Sequence, residues 1–147
     1  MSELNPAPRA KRPEFRNINA FNDLPGYRWP LASIVSGMHR ASGLMMFLLM
    51  PFIIWMFDTS VSSEISFARF TSAFSNGIGF APGLLIKLVA LGLIWAYLHH
   101  FFAGMRHIRM DLFHTVTKEA GKKTAQLTVI LSFGLTAVLG AKLFGLY

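Results

Sequence analysis

Three long apolar runs decide what this chain can fold into. They cover approximately residues 31–57, 82–110 and 124–146, and each supplies the roughly 20 apolar residues that a helix needs to cross a bilayer core. The runs are continuous rather than alternating, which favours helices over a membrane β-barrel. Charged residues make up 14% of the chain, against about 25% in soluble domains. The sequence therefore predicts an all-α integral membrane protein with three transmembrane helices.

Polar segments flank and separate these runs. Residues 1–30 form a polar, basic N-terminal tail rich in proline, which breaks regular structure, and residues 31–147 form the membrane domain. Residues 58–81 are rich in Ser and Gly, so we expect a loop there with a turn at Ser75-Asn76-Gly77. Residues 114–123 are expected to form a short polar connection between the second and third spans.

Lysine and arginine are distributed unevenly among these segments. The loop between the first two spans contains Arg69 as its single basic residue. The tail and the second connection contain most of the others: Arg9, Lys11, Arg12, Arg16 and Arg28, then Lys118, Lys122 and Lys123. Because basic segments stay on the cytoplasmic side, we expect both the N-terminus and the second connection to face the cytoplasm.

Composition also excludes several kinds of function. The chain has no cysteine, so it forms no disulfide, has no cysteine nucleophile and ligates no iron–sulfur cluster through thiolates. The net charge of +7 is explained by membrane orientation, and we expect no nucleic-acid partner.

The second apolar run ends in ionisable residues, which are costly at membrane depth and usually functional. Since a helix turns about 100° per residue, one face carries His100, Gly104, His107 and Asp111. A neutral imidazole beside a small residue can ligate a haem iron while the macrocycle lies close to the backbone. His99 points about 100° away from this face and has no glycine one turn on, so the pattern favours His100 as a ligand.

The first run carries a second polar group near the same side of the membrane. Ser36, His39 and Arg40 share one helix face. The permanently charged Arg40 needs an anion or a strong acceptor, such as a haem propionate or a quinone carbonyl, and Ser36 can donate a second hydrogen bond. Alternatively, Arg40 reaches lipid phosphates and Ser36 bonds its own helix. The predicted topology places two sets of residues in the inner third of the membrane: Ser33, Ser36, His39, Arg40 and Ser42 from the first span, and His100, Arg106, His107 and Asp111 from the second. We therefore expect the two sets to converge on one polar site.

Taken together, these motifs resemble those of a known family. The run Ser36-Gly37-Met38-His39-Arg40-Ala41-Ser42-Gly43, combined with the His100–Asp111 segment, resembles the cytochrome b membrane-anchor subunit of succinate dehydrogenase, respiratory complex II. That family carries Ser-x-x-His-Arg-x-Ser/Thr-Gly in its first span and His-x-x-x-Gly-x-Arg-His-x-x-x-Asp in its second. Arg12-Pro13 matches an N-terminal Arg-Pro of the family, and the resemblance extends over residues 12–147.

The resemblance implies specific roles for the residues that match. His100 would be an axial ligand of one haem b, with His39 and Arg40 near its propionates and His107 near the haem. Ser36 and Arg40 would contribute to the site of the substrate ubiquinone. Gly37 stands where the family usually has a bulkier residue.

The same resemblance implies the setting of the chain. It would not be catalytic on its own but would be a subunit of succinate:quinone oxidoreductase, alongside a flavoprotein subunit and an iron–sulfur subunit. A second small membrane-anchor subunit would supply the other haem ligand and complete the helical bundle. The location would be the bacterial inner membrane rather than the mitochondrial one.

Two alternatives remain open at the level of sequence. The first is a fumarate reductase anchor, which uses the same parts in the reverse direction. The second belongs to a different class: a small transporter or channel subunit without haem, in which the His, Arg and Asp residues form a proton or anion path.

The charge pattern predicts the sidedness of the chain, and the absence of native cysteine makes it testable. We expect Ser72→Cys to react with a membrane-impermeant maleimide added to intact cells, and Ser2→Cys to react only after the membrane is permeabilised. Labelling of Ser2→Cys but not Ser72→Cys in intact cells would contradict the predicted orientation.

Overall fold

The computed structural model describes residues 17–114 and 117–147. The described residues form helices and connecting turns without a β-strand, apart from one isolated bridge between Ile78 and Ala81, so the all-α prediction is confirmed. The helices are α1 (Leu31–Leu48), α2 (Met50–Val61), α3 (Glu64–Asn76), α4 (Gly83–Phe113) and α5 (Lys118–Leu143).

The first predicted span is bent rather than straight. α1 and α2 meet at Leu49 with an angle of 59° between them, and together they are long and apolar enough to cross a membrane. Pro51 explains the bend, because proline lacks the N–H that a helix needs and its ring clashes with the preceding turn. α4 and α5 each meet the same criterion singly. Counting the bent pair as one, the described chain has the three spans that the sequence predicts.

The predicted loop over residues 58–81 is wrong in its central part, where the chain forms α3. Ser63 and Ser66 cap this helix reciprocally: the Ser63 hydroxyl accepts from the Ser66 N–H at 3.1 Å, and the Ser63 N–H donates to the Ser66 hydroxyl at 2.9 Å. The turn prediction is confirmed, because α3 ends at Asn76 and Gly77 has a φ of +89°.

The third membrane span, α5, begins earlier than predicted. Thr117 caps α5 by accepting a hydrogen bond from the Ala120 N–H at 3.2 Å, and Glu119 lies in the positively polarised first turn. Gly121 and the lysines around it are therefore helical, not part of a connection over residues 114–123. α4 ends at Phe113, and His114, which follows it, has a left-handed φ of 49°.

α4 lies between α1 and α5 and packs closely against both. Small side chains make this approach possible, as in other membrane bundles: Ala96, Ala103 and Ala125 are fully buried, and the last two pack against Val35 of α1. Most large apolar side chains point outward, as expected where lipid or partner helices replace water. The bundle therefore brings the N-terminal half of α1 into direct contact with the C-terminal half of α4.

Candidate functional site

Three histidines meet where α1 faces α4. The His39 and His100 rings stack with centroids 4.1 Å apart and planes at 27°, and the His39 ring lies 5.4 Å from that of His107. A Cβ added at Gly104 would lie 3.8 Å from His39 Nε2. His100, Gly104 and His107 therefore share one face of α4, and the space beside Gly104 is filled by the imidazole of His39.

The ring of His100 is held in one orientation. Its Nδ1 lies 3.1 Å from the backbone carbonyl oxygen of His39 and 3.3 Å from the Ser42 hydroxyl. Because a carbonyl only accepts, Nδ1 carries the proton and donates to it. Within the described part of the chain Nε2 makes no hydrogen bond, so its lone pair is available. A neutral imidazole fixed through Nδ1–H in this way is the usual form of a metal-ligating histidine.

Two neighbouring residues on α1 support this orientation, and the sequence analysis gave neither of them a role. Ser42 is fully buried and its hydroxyl donates to the His39 carbonyl at 2.8 Å. Gly43 leaves room for the ring, since a Cβ there would lie 2.9 Å from His100 Cε1. Both residues belong to the same short motif as His39, and this proximity in sequence is the signal that could have identified them.

His99 occupies a different environment from His100. It is fully buried, with Nδ1 3.2 Å from the Ser132 hydroxyl and Nε2 3.4 Å from the Val35 carbonyl oxygen. Its ring also stacks on Trp95 at 5.4 Å. Both nitrogens are therefore engaged, and the side chain ties α4 to α1 and α5. This agrees with the expected separation of the two adjacent histidines.

Ser36 and Arg40 lie one turn apart on α1. Arg40 is exposed, and its Nε donates to the Ser36 carbonyl oxygen at 3.4 Å. The Ser36 hydroxyl makes no hydrogen bond to any described residue. Other helical hydroxyls in this chain bond their own helix, as Thr128 does at 3.0 Å and Thr136 at 2.6 Å. Ser36 therefore presents an available donor beside an exposed guanidinium.

Arg106 does not join the histidine cluster, so its predicted grouping with them is wrong. Its side chain is 8% exposed and turns toward α5, where Nε donates to the Thr124 hydroxyl at 3.1 Å. The reason is angular, since Arg106 lies about 100° around α4 from His107. Asp111 is exposed and forms no ion pair with His107 in the described structure.

The donor set fits a haem better than a bare metal ion. Among the described residues, no group of three or more His, Cys, Asp or Glu side chains is arranged to hold a metal. A haem needs only axial ligands from protein because the macrocycle provides the other nitrogens. His100 provides one well-oriented imidazole for that purpose from within the spanning helix α4.

Comparisons with known proteins agree with the resemblance drawn from the motifs. Residues 12–139 match the model of the succinate dehydrogenase/fumarate reductase transmembrane subunit family. The chain is 33% identical over 125 residues to the succinate dehydrogenase cytochrome b556 subunit of Coxiella burnetii, covering 84% of this chain and 90% of that protein. It is 30% identical over 103 residues to the subunit of the same name from Paracoccus denitrificans, covering 70% and 74%. The chain therefore belongs to the succinate dehydrogenase/fumarate reductase transmembrane subunit family.

Proposed function

We propose that this chain is the cytochrome b membrane-anchor subunit of a bacterial succinate dehydrogenase. It holds one side of a haem b and forms part of the site where ubiquinone is reduced. Succinate is oxidised on partner flavoprotein and iron–sulfur subunits, which this chain anchors at the cytoplasmic face of the inner membrane. The observation that carries the proposal is the His100 ring, fixed through Nδ1 and open at Nε2.

The histidine cluster is where the haem would be held. A bound haem b supplies a one-electron redox centre. His100 offers Nε2 to the iron, and the hydrogen bond from Nδ1–H to the His39 carbonyl makes the ring a stronger donor. His39 and Arg40 would face the propionates, and His107 would flank the group. Because both nitrogens of His99 are engaged, the second axial ligand would come from a second small anchor subunit.

Ser36 and Arg40 are the proposed donors to ubiquinone. Both lie on one face of α1, with the Ser36 hydroxyl uncommitted and the Arg40 guanidinium bonded only through Nε. Two donors aimed at one quinone carbonyl oxygen stabilise the negative charge that develops there during reduction. Gly37 lies beside them with no atom within 4 Å of an added Cβ, which leaves that wall of the site open.

Succinate oxidation, rather than fumarate reduction, is proposed from the names of the two relatives. A haem-free transporter or channel subunit, the alternative from another class, could use the free Nε2 as a proton acceptor but would bind no haem. A visible spectrum of the purified complex, recorded before and after dithionite, distinguishes the two, since only the proposed function gives reduced cytochrome b bands.

Replacing the proposed ligand should remove the haem. We expect His100→Ala to weaken haem binding by more than about tenfold, because even supporting residues of metal sites contribute 10–100-fold. His99→Gln should keep nearly normal haem content, since an amide can still bond Ser132. The measurement is haem per complex from the reduced-minus-oxidised spectrum. Equal haem loss in the two variants would overturn the ligand assignment.

A methyl group at Gly43 should disturb the His100 ring. Gly43→Ala places a carbon 2.9 Å from His100 Cε1, whereas the matched change Gly37→Ala meets nothing within 4 Å. Both residues lie in α1, so any gain in helix propensity is similar. We expect Gly43→Ala to lower haem content or shift the ligand-sensitive absorption bands and Gly37→Ala to leave both unchanged. Identical spectra for the two variants would show that Gly43 does not position the ring.

Replacing the proposed quinone donors should lower quinone reduction but not succinate oxidation. We expect Ser36→Ala to lower quinone reductase activity about tenfold, the effect of removing one hydrogen bond to a bound ligand, and Arg40→Gln to lower it further. Reduction of a soluble dye that accepts electrons from the partner subunits should survive in both variants.

Two control variants test whether this effect is local. Ser60→Ala and Arg69→Gln make the same chemical changes at a half-buried position of α2 and an exposed position of α3, and both should retain quinone reductase activity. Wild-type activity in Arg40→Gln would mean that the guanidinium does not bind quinone.

A further inference from the structure

Arg106 is a buried cation without a counter-ion among the described residues. It lies seven residues before the end of α4 at Phe113, which is about 10 Å inside the helix end at a rise of about 1.5 Å per residue. Its one hydrogen bond, from Nε to the Thr124 hydroxyl at 3.1 Å, is to a neutral group. Burying a permanent charge at this depth is costly unless an anion accompanies it. Arg106 therefore lacks the partner that its position requires.

The remaining donors of Arg106 are open to a cavity between α4 and α5. Within the described chain, Trp95 Nε1 is the one fully enclosed side-chain nitrogen or oxygen atom without a hydrogen bond, so the other guanidinium nitrogens of Arg106 are not sealed in. The cavity that this side chain lines has a volume of about 210 Å³. Arg109, Thr124 and Thr128 also line it, and no carboxylate does. Two arginines and two threonines thus line one small space.

The rest of the lining is apolar. Phe102, Leu127 and Leu131 cover the side of the cavity that continues toward the middle of the spans. A basic rim at the helix ends above an apolar floor complements a phospholipid, with its phosphate at the rim and the start of one acyl chain below. The volume is smaller than the roughly 300–1,000 Å³ of sites for drug-sized ligands, which suits a headgroup phosphate and not a cofactor.

We propose that Arg106 and Arg109 bind the phosphate of an anionic phospholipid in the groove between α4 and α5. The site is separate from the histidine cluster, since Arg106 turns toward α5 while His39, His100 and His107 meet on the α1 side of α4. It does not depend on the haem or quinone assignments. By the positive-inside rule these helix ends face the cytoplasmic leaflet, where anionic lipids lie. A lipid held by α4 while contacting Thr128 of α5 joins the two helices and stabilises the folded chain by mass action.

The test uses the full chain, purified in detergent together with the subunits that accompany it. The bound lipid is then removed from the purified complex. The thermal midpoint is followed while phosphatidylglycerol, phosphatidylcholine or inorganic phosphate is added, and retained lipid is counted by mass spectrometry. Arg106→Gln and Arg109→Gln are compared with Arg69→Gln, which makes the same charge change in α3. Arg109 is exposed, so its variant remains informative should Arg106→Gln fail to fold.

We expect phosphatidylglycerol to raise the midpoint of the wild type and of Arg69→Gln, and to act at about tenfold higher concentration on Arg106→Gln or Arg109→Gln. Phosphatidylcholine and inorganic phosphate should have much weaker effects. Equal phosphatidylglycerol responses in all variants would overturn the site. A carboxylate of a partner subunit that already pairs with the two arginines would give this result. A response to inorganic phosphate as strong as that to the lipid would overturn the assignment of a lipid as the ligand.

Discussion

The hydrogen bond from His100 Nδ1 to the backbone carbonyl of His39 is the contact on which the rest of the site depends. It joins α4 to α1 with 3.1 Å between the ring nitrogen and the carbonyl oxygen, and an imidazole reaches the backbone of a neighbouring helix only where the side chains between them are small or absent. Gly43 has no side chain next to the ring, and the Ser42 hydroxyl is a second donor to the same carbonyl. One segment of α1 thus provides the acceptor, the supporting donor and the space for a single imidazole.

Adjacent residues of α4 point in different directions, because each residue turns the helix by about 100°. His99 is enclosed between α1 and α5, whereas the next residue, His100, keeps one ring nitrogen open. Arg106 turns toward α5, whereas His107 lies beside His39. A helix packed on two sides therefore places adjacent residues in different surroundings, and two neighbouring histidines are not interchangeable.

The sequence predicted those features that follow from the period of one helix. The spans, the common face of His100 and His107, and the divergence of His99 are all of this kind, because α4 is an uninterrupted helix of 31 residues. The prediction that Arg106 joins the histidines was wrong because it rested on their similar depth in the membrane and ignored the angular position of Arg106 around the helix. α3 and the first turns of α5 were missed because Ser, Gly and Lys content outweighed the caps at Ser63 and Thr117. Contacts between helices, such as that of Gly43 with His100, have no signature within either helix alone.

The bend at Pro51 has a consequence for how the chain fits the thickness of a bilayer. α1 and α2 contain 18 and 12 residues, or about 27 Å and about 18 Å of helix at about 1.5 Å per residue. Their combined length exceeds the roughly 30 Å of a hydrocarbon core, so a straight rod would have to tilt steeply along its whole course. Turning by 59° at Leu49 redirects α2 and shortens the end-to-end distance of the pair, so the bent span needs less tilt than a straight rod of the same length. The mismatch is absorbed in the half of the span that carries none of the site residues.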